Sequence, residues 1–167
     1  AIKREYAQRA GIPENNSPEP KDIFLIAKDE LPGNKIAALE AWKQFAMNAG
    51  DALANIITLF DCLVVIGGGL AGASELFLPQ LVDTMNCPIQ TLKGDKINRT
   101  ELKVFNFENN DDKELFLRGK VSEIFVPGSE QKILYDSLQR TAVGITRLGT
   151  SEAVALGAYA YALNQSL

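Results

Sequence analysis

The sequence predicts an α/β domain, with a mixed sheet flanked by helices. Three observations predict this class: a helical apolar stripe over residues 35–60, an apolar run at 62–66 that ends in three glycines, and a second strand, glycine turn and helix over 141–164. Strands that alternate with amphipathic helices are typical of helices packed on a sheet. The chain of 167 residues has the length of one domain, so we treat residues 1–167 as a single unit.

The N-terminal segment is predicted to be helical with one break. Residues 1–10 are charged and helix-compatible up to Gly11, and residues 21–28 resume a short helical pattern. Between them, residues 13–20 contain three prolines, which fix φ and remove backbone donors. This Pro-rich stretch is therefore predicted to be a surface loop.

Residues 35–60 carry the clearest periodicity of the chain. Apolar side chains recur at three- and four-residue steps, which predicts one continuous helix, and Asn34 precedes it as a suitable N-cap. The stripe consists of Ile36, Leu39, Trp42, Phe45, Ala46, Ala49, Leu53, Ile56, Ile57 and Phe60. We expect a core helix packed on the sheet, with a coiled-coil seam as the alternative.

The apolar run at residues 62–66 predicts a strand buried on both faces of a covered sheet, with Cys62 as a buried strand residue. Residues 70–85 then return to a helical pattern. Pro79 interrupts this pattern, which predicts either a kinked helix or a second helix that starts at the proline.

Residues 93–132 have a different texture and are predicted to form a β-rich insertion. Strands are expected at residues 102–107 and 121–126, and a helix capped by Asn109 is expected to reach about Arg118. Acidic and basic side chains are balanced here, which is typical of a solvated surface. A contact with another subunit is the alternative.

The C-terminal segment is predicted to be a strand at residues 141–147 and a helix at 151–164. Small residues in the helix favour close packing, so Gly149 is interpreted as a turn glycine and Gly157 as a helix-packing glycine. The expected packing face consists of Ala153, Leu156, Gly157, Ala160 and Leu163.

Composition excludes several classes of chemistry. The chain has no His and only two Cys, which removes His-based acid–base catalysis, His-ligated metal sites and a four-cysteine zinc site. A net charge of −4 provides no positive field to hold nucleic acid. No signal peptide and no apolar run of about 20 residues is present, so we expect no membrane contact and a reducing cytoplasm.

The glycine turn is the main candidate binding motif. Residues 67–72 match G-x-G-x-x-G between a predicted strand and a predicted helix, where a bare backbone and a helix N-terminus suit an anion or a flat ring. A dinucleotide site fits poorly, because no strong second strand ending in an acid follows. The P-loop pattern is absent, and a tight packed turn without a ligand is the structural alternative.

Four segments in order carry a resemblance: residues 39–57, which end in LANII, LVVIGGG at 63–69, LPQL at 78–81, and LGTSEAVALGA at 148–158. Together they resemble the C-terminal half of ROK-family sugar kinases. The resemblance covers about residues 1–92 and 133–165, and it leaves residues 93–132 outside.

This resemblance implies a ribonuclease-H-like, actin-like ATPase domain. It implies that Gly67, Gly68, Gly69 and Leu70 border the adenosine of ATP. The loop at residues 33–35 is a weaker candidate for the rim of the adenine pocket. The simpler interpretation of Lys35 in this loop is a solvated charge at the start of the helix.

The resemblance also implies an ATP-dependent, glucokinase-like hexose kinase that uses Mg²⁺. Its D-x-G-x-T phosphate loop, catalytic Asp, E-x-G-H element and zinc motif are absent here, so we expect no catalytic residue and no metal ligand in this chain. The expected partners are ATP, a hexose and the N-terminal half of the same protein, and family members are often dimers. Three alternatives stay open: a sugar-responsive transcriptional repressor of the same family, a regulatory actin-like ATPase, and a stand-alone interaction domain.

Overall fold

The computed structural model describes residues 1–165, which form a parallel sheet packed against helices. The helices are α1 (Ile2–Ala10), α2 (Pro20–Ala27), α3 (Lys35–Phe60), α4 (Ser74–Asn86), α5 (Asn110–Arg118) and α6 (Thr150–Gln165). The strands are β1 (Val64–Ile66), β2 (Ile89–Gln90), β3 (Lys96–Ile97), β4 (Lys103–Asn106), β5 (Val121–Phe125), β6 (Lys132–Asp136) and β7 (Arg140–Ile145). Short 3₁₀ turns lie at Glu14–Asn16 and Ala71–Ala73.

The local signals at the helix ends act as the sequence predicts. The Asn34 side chain accepts a hydrogen bond from the backbone N–H of Ala37 at 3.0 Å and caps α3. Gly11 takes a left-handed φ of 70° and ends α1. Pro20, which was predicted to lie in the loop, is instead the first residue of α2, where a missing N–H costs nothing. A single helix α4 runs through Pro79, so the alternative of a second helix starting there is wrong.

The main sheet has the order β1-β7-β4, and both pairings are parallel, so among the described residues the expected mixed sheet is wrong. Strand β7 is central, and its residues Thr141, Ala142 and Val143 are buried. The Thr141 hydroxyl donates to the Cys62 carbonyl at 2.7 Å, which fixes the chain just before β1. The parallel pairing brings the carboxyl ends of all three strands to one edge of the sheet.

The core lies between the sheet and the helices α1–α4. Trp42 of α3 stacks on Phe77 of α4 with ring centroids 6.0 Å apart, and Phe45 packs edge-on against both rings. Gly50 allows close approach of α3 to α4, because a Cβ there would lie 2.7 Å from the Leu81 carbonyl oxygen. The predicted core helix is therefore confirmed, but its buried face differs from the predicted stripe, because Ile36, Leu39, Ile56 and Phe60 are exposed. The buried residues of α3 are Ala37, Ala38, Ala41, Trp42, Ala46, Gly50, Ala54 and Ile57.

Strand β1 corrects one expectation. It lies at an edge of the sheet, and the Val65 side chain is 69% exposed, so the strand is not buried on both faces. Cys62 is also exposed, together with Cys87. An apolar run identifies a strand, but it does not show whether the neighbour that would cover it lies in the same chain.

Strand β4 corrects a second expectation. The sequence placed it in the insertion, but it pairs with β7 in the main sheet, and Val104 and Phe105 are buried. The Asn86 side chain accepts from the Val104 N–H at 3.0 Å and donates to the Val104 carbonyl at 2.8 Å, so it completes the free edge of β4. The segment outside the main sheet between β4 and β7 then consists of α5 and the antiparallel hairpin β5–β6.

Helix α6 does not pack as expected. Its bounds agree with the predicted helix, but none of its residues is buried, including the predicted packing face. A Cβ at Gly157 would meet no atom within 4 Å, so this glycine is not a packing glycine in the described structure. The exposed apolar side chains of this helix are Val154, Leu156, Tyr159, Tyr161 and Leu163.

Candidate nucleotide site

The predicted glycine turn lies at the carboxyl edge of the main sheet. It follows Ile66, the last residue of β1, and leads through the turn Ala71–Ala73 into α4. The Thr146 N–H donates to the Ile66 carbonyl at 2.9 Å, so the loop after β7 lies beside the glycine turn. Ligands of open α/β sheets bind at this edge, outside the carboxyl ends of the strands.

The glycines of the turn differ in what requires them. A Cβ at Gly67 would lie 3.3 Å from Thr146 Cγ2, so packing accounts for that glycine. Gly68 has a φ of +83°, which side chains rarely adopt, so the backbone turn accounts for it. At Gly69 and Gly72 an added Cβ would meet nothing within 4 Å, and neither has a left-handed φ. Neither packing nor backbone conformation explains these last two glycines.

An apolar cavity of about 530 Å³ opens beside Gly69 and Gly72. This volume is within the range of small-molecule sites, about 300–1,000 Å³. The cavity has one ionisable side chain, Lys21, in its lining. Its walls come from α2, α3 and the glycine turn: Pro20, Lys21, Phe24, Leu25, Trp42, Gly69, Leu70, Gly72 and Ala73.

Two further cavities meet the same turn. One of about 380 Å³ lies between the turn, α3 and α4, and it is lined by Gly67, Gly69 and Leu70 among apolar side chains. Another of about 410 Å³ lies between the turn and the start of α6, where Gly67 and Gly68 share the lining with Thr146 of the preceding loop and Thr150 of α6. The four predicted residues 67–70 therefore lie where three cavities meet.

The weaker candidate loop at residues 33–35 makes structural contacts within the fold. The Lys35 ammonium forms an ion pair with Asp29 at 2.9 Å, and Asn34 caps α3. A Cβ at Gly33 would lie 2.8 Å from Ile26 Cδ1, so packing explains this glycine. None of the three residues lines the large cavity.

Sequence reasoning missed the residues of the cavity wall opposite the turn. Lys21, Phe24 and Leu25 are spaced at three and four residues, so they share a helix face, and that spacing is the signal that could have found them. Trp42 was interpreted as a core residue, and it is only 1% exposed, but it also lines this cavity. Its indole Nε1 is buried without a hydrogen-bond partner in the described structure.

Within residues 1–165, no three Cys, Asp or Glu side chains come together as a group that could hold a metal ion. None of the helices in this part of the chain combines the length and the apolar character needed to cross a membrane.

Comparison with known proteins places the fold and the turn in context. A family model described as the ROK family matches residues 1–110, which include the glycine turn and β4, so the expectation that the resemblance stops at residue 92 is wrong. A glucokinase from Parabacteroides distasonis has a similar solved structure, with a TM-score of 0.82 and 39% sequence identity. The match covers 98% of this chain and 43% of that one, so the chain spans less than half the length of the glucokinase. A search of the curated proteins found no match.

Proposed function

Because this chain belongs to the ROK family, we propose that it forms the C-terminal, nucleotide-binding side of an ATP-dependent hexose kinase similar to glucokinases. In this proposal the domain has the ribonuclease-H-like, actin-like ATPase architecture and works in the cytoplasm. One observation carries the proposal. The fold leaves room for a side chain at Gly69 and at Gly72, yet both residues are glycines, and both border the apolar cavity of about 530 Å³.

The proposed role of the turn is to let the adenosine lie against bare backbone. Side chains at Gly69 and Gly72 would extend into open space in front of the turn, which is the space that a ligand needs. The cavity is lined mainly by apolar and aromatic side chains, which suits a flat heteroaromatic base. Gly67, Gly68 and Leu70 then hold the turn in the shape that keeps this space free.

The chemistry we propose is transfer of the γ-phosphoryl group of ATP to a sugar hydroxyl. Such transfer depends on positioning and on neutralising phosphate charge, and Mg²⁺ supplies charge neutralisation when it is bound with the nucleotide. This chain would position the adenosine. The sugar site and the group that accepts the hydroxyl proton would come from the N-terminal half, so we expect the isolated chain to be inactive.

The exposed apolar side chains of α6 support the proposal that this chain packs against an N-terminal half. The helix presents apolar side chains to solvent along its whole length, whereas an amphipathic helix buries its apolar face against a neighbour. The glucokinase chain is more than twice as long as the matched segment, so a further half of similar size would provide such a neighbour.

The site can be tested with the fluorescence of Trp42, the single tryptophan of the chain, because this residue lines the proposed pocket. We expect MgATP to change its emission in a saturable manner. Gly69→Val and Gly72→Val should weaken MgATP binding at least about tenfold while the stability of the fold is retained. Gly157→Ala in α6 is the matched control and should bind like the parent chain.

Two results would contradict the proposed site: no saturable effect of MgATP, or equal binding by the Gly69→Val and Gly157→Ala variants. The reaction is tested separately, with the complete protein in a coupled assay for ADP with glucose and other hexoses. Hexose phosphorylation is the expected result. Nucleotide hydrolysis without hexose phosphorylation would refute the kinase and favour the regulatory actin-like ATPase. Phosphorylation by this chain alone would refute its expected inactivity.

A further inference from the structure

The hairpin β5–β6 is a separate two-stranded sheet, and no other described element covers it. Every residue of its two strands is exposed, including Leu134 at 74%, Tyr135 at 50% and Ile133 at 47%. A two-stranded hairpin is marginally stable in water, and three or more strands are needed for independent stability. The exposed apolar side chains and the low strand number both favour addition of further strands.

The hydrogen-bond register shows which backbone groups are free for such addition. The Val126 N–H donates to the Gln131 carbonyl at 2.9 Å, and the Ser137 N–H donates to the Lys120 carbonyl at 3.2 Å. Hydrogen-bonded pairs alternate along an antiparallel ladder, so Ile133 and Tyr135 also direct their backbone groups toward β5. The backbone N–H and C=O groups of the alternate residues of β6 therefore point away from β5; these residues are Lys132, Leu134 and Asp136.

This outer edge of β6 has no strand partner among residues 1–165. Its free backbone groups belong to Lys132, Leu134 and Asp136. The sequence of the strand is Lys-Ile-Leu-Tyr-Asp, in which a cation and a carboxylate lie at equal distances on either side of Leu134.

We propose that β6 pairs with β6 of a second copy of this chain, antiparallel and about a two-fold axis at Leu134. In this register Leu134 faces Leu134 of the second copy, and Lys132 faces Asp136 of the second copy on both sides. All three are pairs whose backbone groups point outward, and each such pair exchanges two hydrogen bonds. The two hairpins then form one four-stranded sheet.

Charge favours this edge over the other one. Opposite charges that face each other across an antiparallel pair are stabilising, and like charges are destabilising. The same two-fold pairing through the outer edge of β5 would place Glu123 against Glu123 of the second copy. On β6, the Asp136 carboxylate already accepts hydrogen bonds from Lys120, Leu138 and Arg140, so its position is fixed before a second copy arrives. The Lys132 ammonium lies 3.3 Å from the Glu123 carboxylate of the same hairpin, so it would be shared between Glu123 and Asp136 of the second copy.

The contact is short, so the dimer is expected to be reversible, with a dissociation constant in the micromolar range. Analytical ultracentrifugation of the full chain should show a monomer–dimer equilibrium. Leu134→Pro removes an N–H that the hairpin does not use, and it should raise the dissociation constant at least about tenfold. Lys132→Glu should act in the same direction. Glu123→Gln is the control, because it removes the 3.3 Å ion pair of Lys132 within the hairpin and leaves the outer edge of β6 unchanged.

Hydrogen exchange at the Val126 and Ser137 amides shows whether the hairpin itself persists in the Leu134→Pro variant. Cross-linking provides a second measurement, and it does not depend on a variant that could disrupt the hairpin. In a Cys62→Ser/Cys87→Ser background, Leu134→Cys should form a disulfide-linked dimer on oxidation, whereas Glu123→Cys should not. A chain that stays monomeric at high micromolar concentration overturns the proposal. So does a dimer that neither Leu134→Pro nor Lys132→Glu weakens, or equal cross-linking at the two cysteine positions.

Discussion

Gly50→Ala is expected to destabilise the domain, although alanine is the better helix former. The added Cβ would lie 2.7 Å from the Leu81 carbonyl oxygen and 3.0 Å from Thr84 Cβ. A favourable carbon–oxygen contact is about 3.3–3.6 Å, so α3 and α4 would have to separate by roughly half an ångström. The Thr84 hydroxyl is held by the Gln80 carbonyl at 2.7 Å, and the nearest obstacle is backbone, so neither neighbour can swing away.

The magnitude follows from two opposing terms. Alanine gains about 1 kcal/mol of helix propensity over glycine. Overpacking of a close contact costs roughly 1–3 kcal/mol, and the rigid carbonyl places this case in the upper part of that range. We therefore expect a net loss of about 1–2 kcal/mol in the free energy of unfolding, measured by urea denaturation with an unchanged m-value.

Ala52→Gly calibrates the propensity term, because Ala52 is an exposed residue of the same helix. This control should lose about 1 kcal/mol. If Gly50→Ala instead gains about as much as Ala52→Gly loses, then the helices separate freely and the argument from close packing is wrong.

Two further predictions concern local structure. Asn34→Ala should lower the free energy of unfolding by about 1 kcal/mol, because the Ala37 N–H loses its cap; Asn34→Asp should retain most of the stability in the same urea titration. Hydrogen bonds from the Lys120 N–H, then from Arg140 and from the Leu138 N–H, lower the pKa of Asp136 to about 2. Because this pKa lies below that of an unfolded Asp, about 3.9, the stabilisation is complete above pH 4 and is lost as the pH falls toward 2. The protection of the β5 and β6 amides, measured relative to their intrinsic exchange rates, should fall over that interval, and Asp136→Asn should remove the pH step; a step of equal size in the variant would contradict this cause.

The long helix could be predicted closely because its signals are local. The apolar period identifies α3, and Asn34 marks its start, so the predicted range 35–60 agrees with Lys35–Phe60. The short helix after Asn109 was found for the same reason, since the Asn109 side chain accepts from the Asp112 N–H at 3.0 Å. Caps and periods depend only on neighbours in sequence.

The pairing of strands could not be predicted in this way. Strand β4 was identified as a strand, but its partner β7 is more than 30 residues away in the chain, and nothing local in either strand specifies the other. The exposure of Val65 and of α6 was missed for a related reason. Apolar residues in a sequence indicate that a surface is covered. They do not indicate which part of a protein covers it.

The glycine turn was predicted as a unit, but its residues could not be separated from sequence. Four glycines within 67–72 look equivalent in the motif. Coordinates are needed to see that Gly67 packs on Thr146, that Gly68 makes the turn, and that Gly69 and Gly72 leave open space.

The uncovered helix α6 has a consequence for how assembly could be followed. Helices of about 12–15 residues or fewer are marginal in water without tertiary packing, and the 16 residues of α6 are only slightly longer and have none buried. Its amides should therefore exchange with solvent much faster than those of α3 in the free chain. An increase in the hydrogen-exchange protection of residues 150–165 would then show that another surface has docked on α6, and no measurement of catalysis would be needed.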